Sequence, residues 1–271
     1  MGKLANHEFS RLILGGNLIG GYSHSRDLNY VSTLMRRYNT EAKIRETLEL
    51  AEAQGINAIN TYVMQENQAL FDHWKCGGKM KWFAQVRLDP DGGYSHVQKA
   101  VDEGATGIHI TGDKAKSLLD RGQFEKVGEI VQLTKSKKCV AGVAAHELEV
   151  MVECEKAKFD VDFYQKTLHT LDYFSAPRPS EKERYDNCWC EDPQAVVDFM
   201  AKVKKPWIAF KVLAAGAIPP RAGFAHAFTS GADFILVGMF DWQVAEDAKL
   251  AKHVFEVISG PNSKRTRPWY G

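Results

Sequence analysis

The sequence lacks a surplus of either charge: 35 Lys and Arg stand against 34 Asp and Glu. Without a net field there is little to attract a phosphate backbone or an anionic bilayer, so neither nucleic acid nor membrane is an expected partner. Long apolar runs are missing as well. No window approaches the roughly 18 uninterrupted apolar residues of a membrane-crossing helix, and Met1 to Phe9 lacks the charged-then-apolar order of a secretory signal. Cysteine is scarce, five residues in an odd set without zinc-finger spacing, which points to reduced thiols and a cytoplasmic setting. A processed form of an exported precursor would look the same. There is no low-complexity segment and no repeat apart from the period described next.

What the chain does have is a recurrence. Eight short apolar runs close on polar or ionisable residues: Leu12–Ile19, Ile56–Tyr62, Trp82–Leu88, Gly107–Thr111, Val140–His146, Phe163–His169, Trp207–Leu213 and Phe234–Met239. Between most of them lies helical spacing. Thr40 caps a helix whose Ile44, Leu48 and Ala51 share a face, with Gly55 beyond its end. Similar signals mark Glu147–Lys158, Pro193–Val203 after Asp192, and Trp242–Ile258 before Gly260. Strands alternating with helices imply a parallel sheet, and eight such units predict a (β/α)8 barrel, an α/β TIM barrel occupying 1–271 as one domain. Long loops are expected at about 20–39 and 170–191, both of a length that is usually functional. The tail Lys264–Gly271 is basic and aromatic, suited to covering the barrel or meeting a partner.

The first quarter resembles an aldo/keto reductase. The likeness rests on Leu14-Gly-Gly-Asn17-Leu-Ile-Gly-Gly21, on Tyr38-Asn39-Thr40, and on Ala53 to Thr61, with Gly231 to Met239 similar to the family's last strand. It spans about a third of the chain. The resemblance implies the barrel, and would imply carbonyl reduction with NAD(P)H by a proton-donating Tyr supported by Lys, Asp and His. The family's Asp falls at Asn60 and its Tyr at Gln65, its Lys meets Gln85 and Arg87 on the third strand, and His109 corresponds to its His. Tyr62 would be the substitute acid. The basic cofactor signature after the seventh strand is replaced by Ala214 to Pro220. The resemblance therefore implies the fold more than the mechanism, and an NAD(P)H-dependent reductase remains the alternative.

Chemistry in such barrels sits where the strands end. His146 and His169 close the fifth and sixth runs, side by side at the ~4.8 Å spacing of strand neighbours, which suits joint ligation of a divalent metal such as Zn, Fe or Mn. Amidohydrolase-type metal enzymes are similar in using these two positions with an Asp on the eighth strand. Asp241 would supply it, or cap the last helix, and Cys188 or Cys190 are other donors; the family's His-x-His on the first strand is missing. Lys211 and Lys166 lie in the seventh and sixth runs, and an amine inside a barrel becomes a base or a Schiff-base nucleophile. Phe210 to Gly216 resembles the Lys-strand-glycine phrase of Schiff-base aldolases. Gly216 and Gly238 suit a phosphate or cofactor cradle. Asn17, Asn60, Tyr62, Gln85 and Arg87 offer hydrogen bonds with few carboxylates, as a hydroxylated or sugar-like substrate needs. The expected function is metal-assisted isomerase, lyase or hydrolase chemistry on a small carbonyl or sugar-like substrate, through His146, His169, Lys211 and His109. A non-catalytic ligand-binding barrel is the further alternative, and the oligomeric state is left open.

Overall fold

The computed structural model describes residues 1–63, 67–177, 186–265 and 267–271. Gln65 and the 178–185 part of the second long loop lie outside the described residues. A short antiparallel hairpin, β1 (Gly2–Leu4) and β2 (His7–Phe9), comes first. The eight apolar runs then form eight parallel strands: β3 (Leu12–Gly15), β4 (Ala58–Tyr62), β5 (Lys81–Val86), β6 (Gly107–Ile110), β7 (Val140–Ala145), β8 (Phe163–Thr167), β9 (Trp207–Phe210) and β10 (Phe234–Gly238). β10 pairs with β3 and closes the barrel. The helices are α1 (Tyr30–Tyr38), α2 (Glu41–Ala53), α3 (Gln68–Lys75), α4 (Ser95–Asp102), α5 (Gly112–Asp120), α6 (Glu125–Ser136), α7 (Leu148–Lys156), α8 (Pro193–Met200), α9 (Pro220–Thr229) and α10 (Asp241–Ser259). The fold is the α/β TIM barrel.

Local chemistry sets the boundaries. Thr40 accepts the backbone N–H of Lys43 and starts α2; Asp192 accepts that of Ala195 and starts α8, whose first residue is Pro193. Asp241 departs from the expected cap. It is the first residue of α10, and its carboxylate takes the Tyr38 hydroxyl at 2.7 Å and Lys43 Nζ at 3.2 Å, tying α1 and α2 to α10. The expected loop at 20–39 also contains a helix, α1. Its Val31 and Met35, four apart, share one face and line the cavity at the barrel mouth, which gives the segment a reason to coil.

Period-two alternation sorts the barrel side chains. Inward-facing Ile13, Ala58, Phe83, Val140, Phe163, Ile208 and Phe234 pack with Leu4 and Phe9 of the hairpin as an apolar layer that fills the lower barrel. Outward-facing Trp82, Tyr164 and Trp207 pack instead in the layer between strands and helices. The tail passes beneath: Arg265, Arg267 and the backbone N–H of Tyr270 all bond Asp233, just before β10. The plug of the lower barrel is thus apolar, with a buried Arg–Asp cluster beneath it, and the other polar side chains of the interior collect toward the mouth. All five cysteines carry free thiols.

Candidate active site at the barrel mouth

A cavity of about 660 Å³ opens at the C-terminal ends of the strands. At its base, alternation brings Asn60, Gln165 and His109 together. Asn60 Nδ2 donates to His109 Nε2 at 2.9 Å and to Gln165 Oε1 at 2.8 Å, while His109 Nδ1 donates to the Ile110 carbonyl at 3.2 Å. His109 is fully buried, and burial pushes its pKa down to about 4, so the ring stays neutral. Both nitrogens are engaged and His109 is not among the residues that line the cavity, an arrangement in which it holds Asn60 in place.

The two histidines of the expected metal pair have different partners. His169 is fully buried; its Nδ1 donates to the Thr170 carbonyl at 2.9 Å, and its Nε2 accepts the backbone N–H groups of Trp189 and Cys190 at 3.0 and 3.1 Å. No lone pair is left for an ion. The imidazole anchors the loop that carries Trp189, and these contacts lend no support to His169 as a metal ligand. His146 has a different environment. Its Nδ1 meets Thr167 Oγ1 at 2.8 Å and its ring lies on the cavity wall. Burial, together with the charges of Lys211 and Lys166, pushes its pKa down to about 3, leaving a neutral imidazole suited to hydrogen bonding a substrate oxygen. Among the described residues no three His, Cys, Asp or Glu side chains gather to hold an ion.

The two lysines part company for a reason visible in the strands. In β8, Gln165 faces inward, so its neighbour Lys166 points out of the barrel. There its Nζ, fully buried, donates to the carbonyls of His146 and Thr167 at 2.7 and 3.0 Å. In β9, Phe210 faces inward, and a continued strand would turn Lys211 outward too. The strand stops instead. Lys211 has φ +60°, a left-handed conformation that costs a non-glycine residue about 1–2 kcal/mol, and this turn swings its side chain onto the cavity wall. After Leu213, at φ −101°, Ala214, Ala215 and Gly216 are left-handed again, and at Gly216, with φ +92° and open space around it, glycine serves the turn itself.

Around Lys211 Nζ lie His24 Nε2 at 2.5 Å and the face of Trp189 at 4.0 Å. Burial lowers the pKa of this amine to about 8, with Asp186 acting weakly in the other direction. No carboxylate bonds it directly among the described residues. His24, also lowered by burial and by Lys211, places its Nδ1 3.3 Å from Asp186 Oδ1. His24, Asp186, Trp189 and Gln165 were missed by the reading of strand ends. The signal for the first three was the length of the two loops that carry them, and for Gln165 it was strict alternation in β8.

Of the other expected binding residues, Asn17, Asn60, Tyr62 and Gln85 line the cavity, as do Gly216 and Gly238. Arg87 lines a side recess of about 330 Å³ with His96 and Lys114, which shares Tyr62 and Gln85 with the main cavity. Burial and the Asp113 charge raise the pKa of Tyr62. Among the described residues Arg87 alone acts to lower it, and no lysine does; Asn60, Gln85 and the buried His109 occupy the other reductase positions. The described residues therefore do not fit the proton-donating set that NAD(P)H-dependent carbonyl reduction uses.

No family profile matches the chain, and no curated protein matches it in sequence. Solved structures do. A putative aldo-keto reductase from Pseudomonas aeruginosa, PA4992, superposes with a TM-score of 0.63 at 17% identity, over 92% of this chain and 93% of that one. Gox0644 in its apo form gives 0.58 at 13% identity, over 97% and 95%. The glycerol dehydrogenase AKR11B4 from Gluconobacter oxydans gives 0.51 at 15%, over 94% and 93%. At these identities the likeness is one of fold, that of the TIM barrel.

Proposed function

We propose that this chain is an enzyme acting on a small carbonyl or sugar-like substrate at the barrel mouth, in isomerase or lyase chemistry, with Lys211 as its reactive group. The observation that carries this reading is the amine of Lys211. It stands on the cavity wall in a strained backbone conformation, largely desolvated, against an imidazole and an indole face, with no carboxylate among the described residues bonded to it. An amine so placed loses its proton near neutral pH and acts as base or nucleophile. His146 would bind the substrate oxygen, and the amide groups of Asn17 and Gln85 its hydroxyls.

The test is turnover on a panel of aldoses, ketoses and 2-keto acids, with Lys211→Met and Lys211→Arg as comparison. Loss of roughly 10³-fold in kcat/KM is expected for both, since neither side chain can take over an amine that acts as base or nucleophile. Unchanged turnover in Lys211→Met would overturn the reading. Tryptophan quenching by micromolar NADPH, with hydride transfer to the same panel, would favour reductase chemistry instead. Full activity in the presence of chelator is expected, because His169 has no lone pair to offer a metal.

A further inference from the structure

Lys211 is met by side chains from two separate loops, in the order of a proton relay. His24, between β3 and α1, puts Nε2 2.5 Å from Nζ, and its Nδ1 lies 3.3 Å from Asp186 Oδ1, in the loop between β8 and α8. The other Asp186 oxygen accepts the backbone N–H of Arg26 at 2.8 Å. One carboxylate thus joins the loops and sets the histidine: with Nδ1–H given to Asp186, the Nε2 lone pair faces the lysine. Trp189 closes the other side of the amine and meets His24 edge-on at 4.6 Å. A lysine held only for structure is better served by direct contact with the carboxylate, the stronger partner. Here an imidazole is interposed.

We infer that Asp186, His24 and Lys211 form a relay that removes a proton from the lysine amine for covalent attack on a substrate carbonyl, giving an imine on Lys211. This rests on the reading of Lys211 as the reactive group. The ammonium gives one proton to His24 Nε2. The freed lone pair forms a C–N bond to the carbonyl carbon, and the C–O π electrons move to oxygen. That oxygen takes one proton from the new nitrogen and one from the His24 imidazolium, and leaves as water while the nitrogen lone pair forms C=N. The product is a protonated imine and a neutral His24, with charge balanced and no co-reactant needed. Asp186 touches no reacting atom and is a positioning residue. Among the described residues the titratable and charged groups around the amine are His24 and Asp186 on the loops, His146 just after β7, His169 just after β8, and Lys166 behind them; Asp113 on α5 acts on His146.

The experiment is trapping by sodium cyanoborohydride with dihydroxyacetone or pyruvate as the carbonyl probe, located by peptide mass spectrometry across pH 6–10. In the parent protein a reduced adduct is expected on Lys211. In His24→Gln, which keeps a polar side chain but cannot take the proton, trapping should slow by roughly tenfold or more and follow only the rising limb of the lysine. Asp186→Asn should slow it less, with the profile displaced in the same sense, and thermal unfolding checks that both variants fold. An identical rate and pH profile in the two variants would overturn the relay while leaving Lys211 reactive. Absence of an adduct with either probe would overturn the imine, and the Lys211→Met panel then decides separately whether the amine serves as a base.

Discussion

Both ends of this barrel bury cations, and they handle them in opposite ways. At the floor Asp233 takes Arg265 at 3.1 Å, Arg267 at 3.0 Å, and the backbone N–H groups of Trp207 and Tyr270 at 2.9 and 2.8 Å. Arg11 adds bonds to the Asp233 and Gly271 carbonyls at 3.0 and 2.8 Å. At the mouth Lys166 is buried and Lys211 half-buried, with no ion pair among the described residues, bonded to carbonyls and to an imidazole respectively. The residue types explain the difference. A guanidinium cannot lose its proton and must be paired where it is buried, whereas an ammonium can become neutral. Arginine fastens the tail at one end, and at the other burial lowers the pKa of both lysines to about 8.

The largest test of this contrast is at the floor. Asp233→Asn leaves guanidinium groups buried without their carboxylate, and a loss of about 3–5 kcal/mol in unfolding free energy is expected, read as a fall in urea midpoint. The mouth should respond with the opposite sign. Lys211→Met removes a desolvated amine and should raise stability by about 1–2 kcal/mol at pH 7 even as it abolishes turnover. Stability lost at both ends would mean that Lys211 belongs to the scaffold, and the contrast would fail.

The contrast also predicts a pH dependence. Burial lowers the pKa of both lysines from 10.5 to about 8 in the folded protein. Between these values the unfolded chain binds more protons than the folded one, so stability rises with pH from about 8 to 10.5, by at most about 1.4 kcal/mol per pH unit for each lysine. Below pH 8 both states are protonated and the two lysines add no slope. Urea midpoints at pH 7.5, 9 and 10 check this. Lys211→Met and Lys166→Met should each remove about half of the rise, and a slope intact in both variants would place its origin elsewhere.

The fold was legible because it follows from short-range pattern: seven of the eight apolar runs contain a barrel strand and the third, Trp82–Leu88, misses only Lys81 of its own, and Thr40 and Asp192 cap the helices they announce. The site was legible only in part. A strand end shows that a residue is near the mouth and does not show which way it points. Alternation explains Gln165 facing in and Lys166 facing out, but Lys211 reaches the cavity by breaking the alternation through a left-handed turn, which Lys-Val-Leu-Ala-Ala-Gly does not advertise. His146 and His169 look equivalent in sequence. They differ because the backbone of the loop at Trp189 and Cys190 folds back onto one of them, a contact 20 residues or more away in the chain. His24 and Asp186 are 162 residues apart, and only the closed barrel brings their loops together.

The smallest effect separates the two ends most cleanly, because the same contact occurs at both. Trp189 lies 4.0 Å from Lys211 Nζ, and Trp269 lies 3.4 Å from the Arg265 guanidinium. A cation over an indole face gains about 0.5–2 kcal/mol, and only while it is charged. At the floor, Trp269→Leu should therefore cost about 1 kcal/mol of stability without changing any titration, since Arg265 keeps its proton. At the mouth, Trp189→Leu removes support from the charged amine and should move the Lys211 pKa further down, by about half a unit to one unit. The pH dependence of acetic anhydride labelling at Lys211, followed by mass spectrometry, measures that shift directly. A fall in pKa at Lys211, with only a fall in stability for Trp269→Leu, is what a dischargeable cation opposite a permanent one requires; an unmoved Lys211 would show that Trp189 packs against the amine without reading its charge.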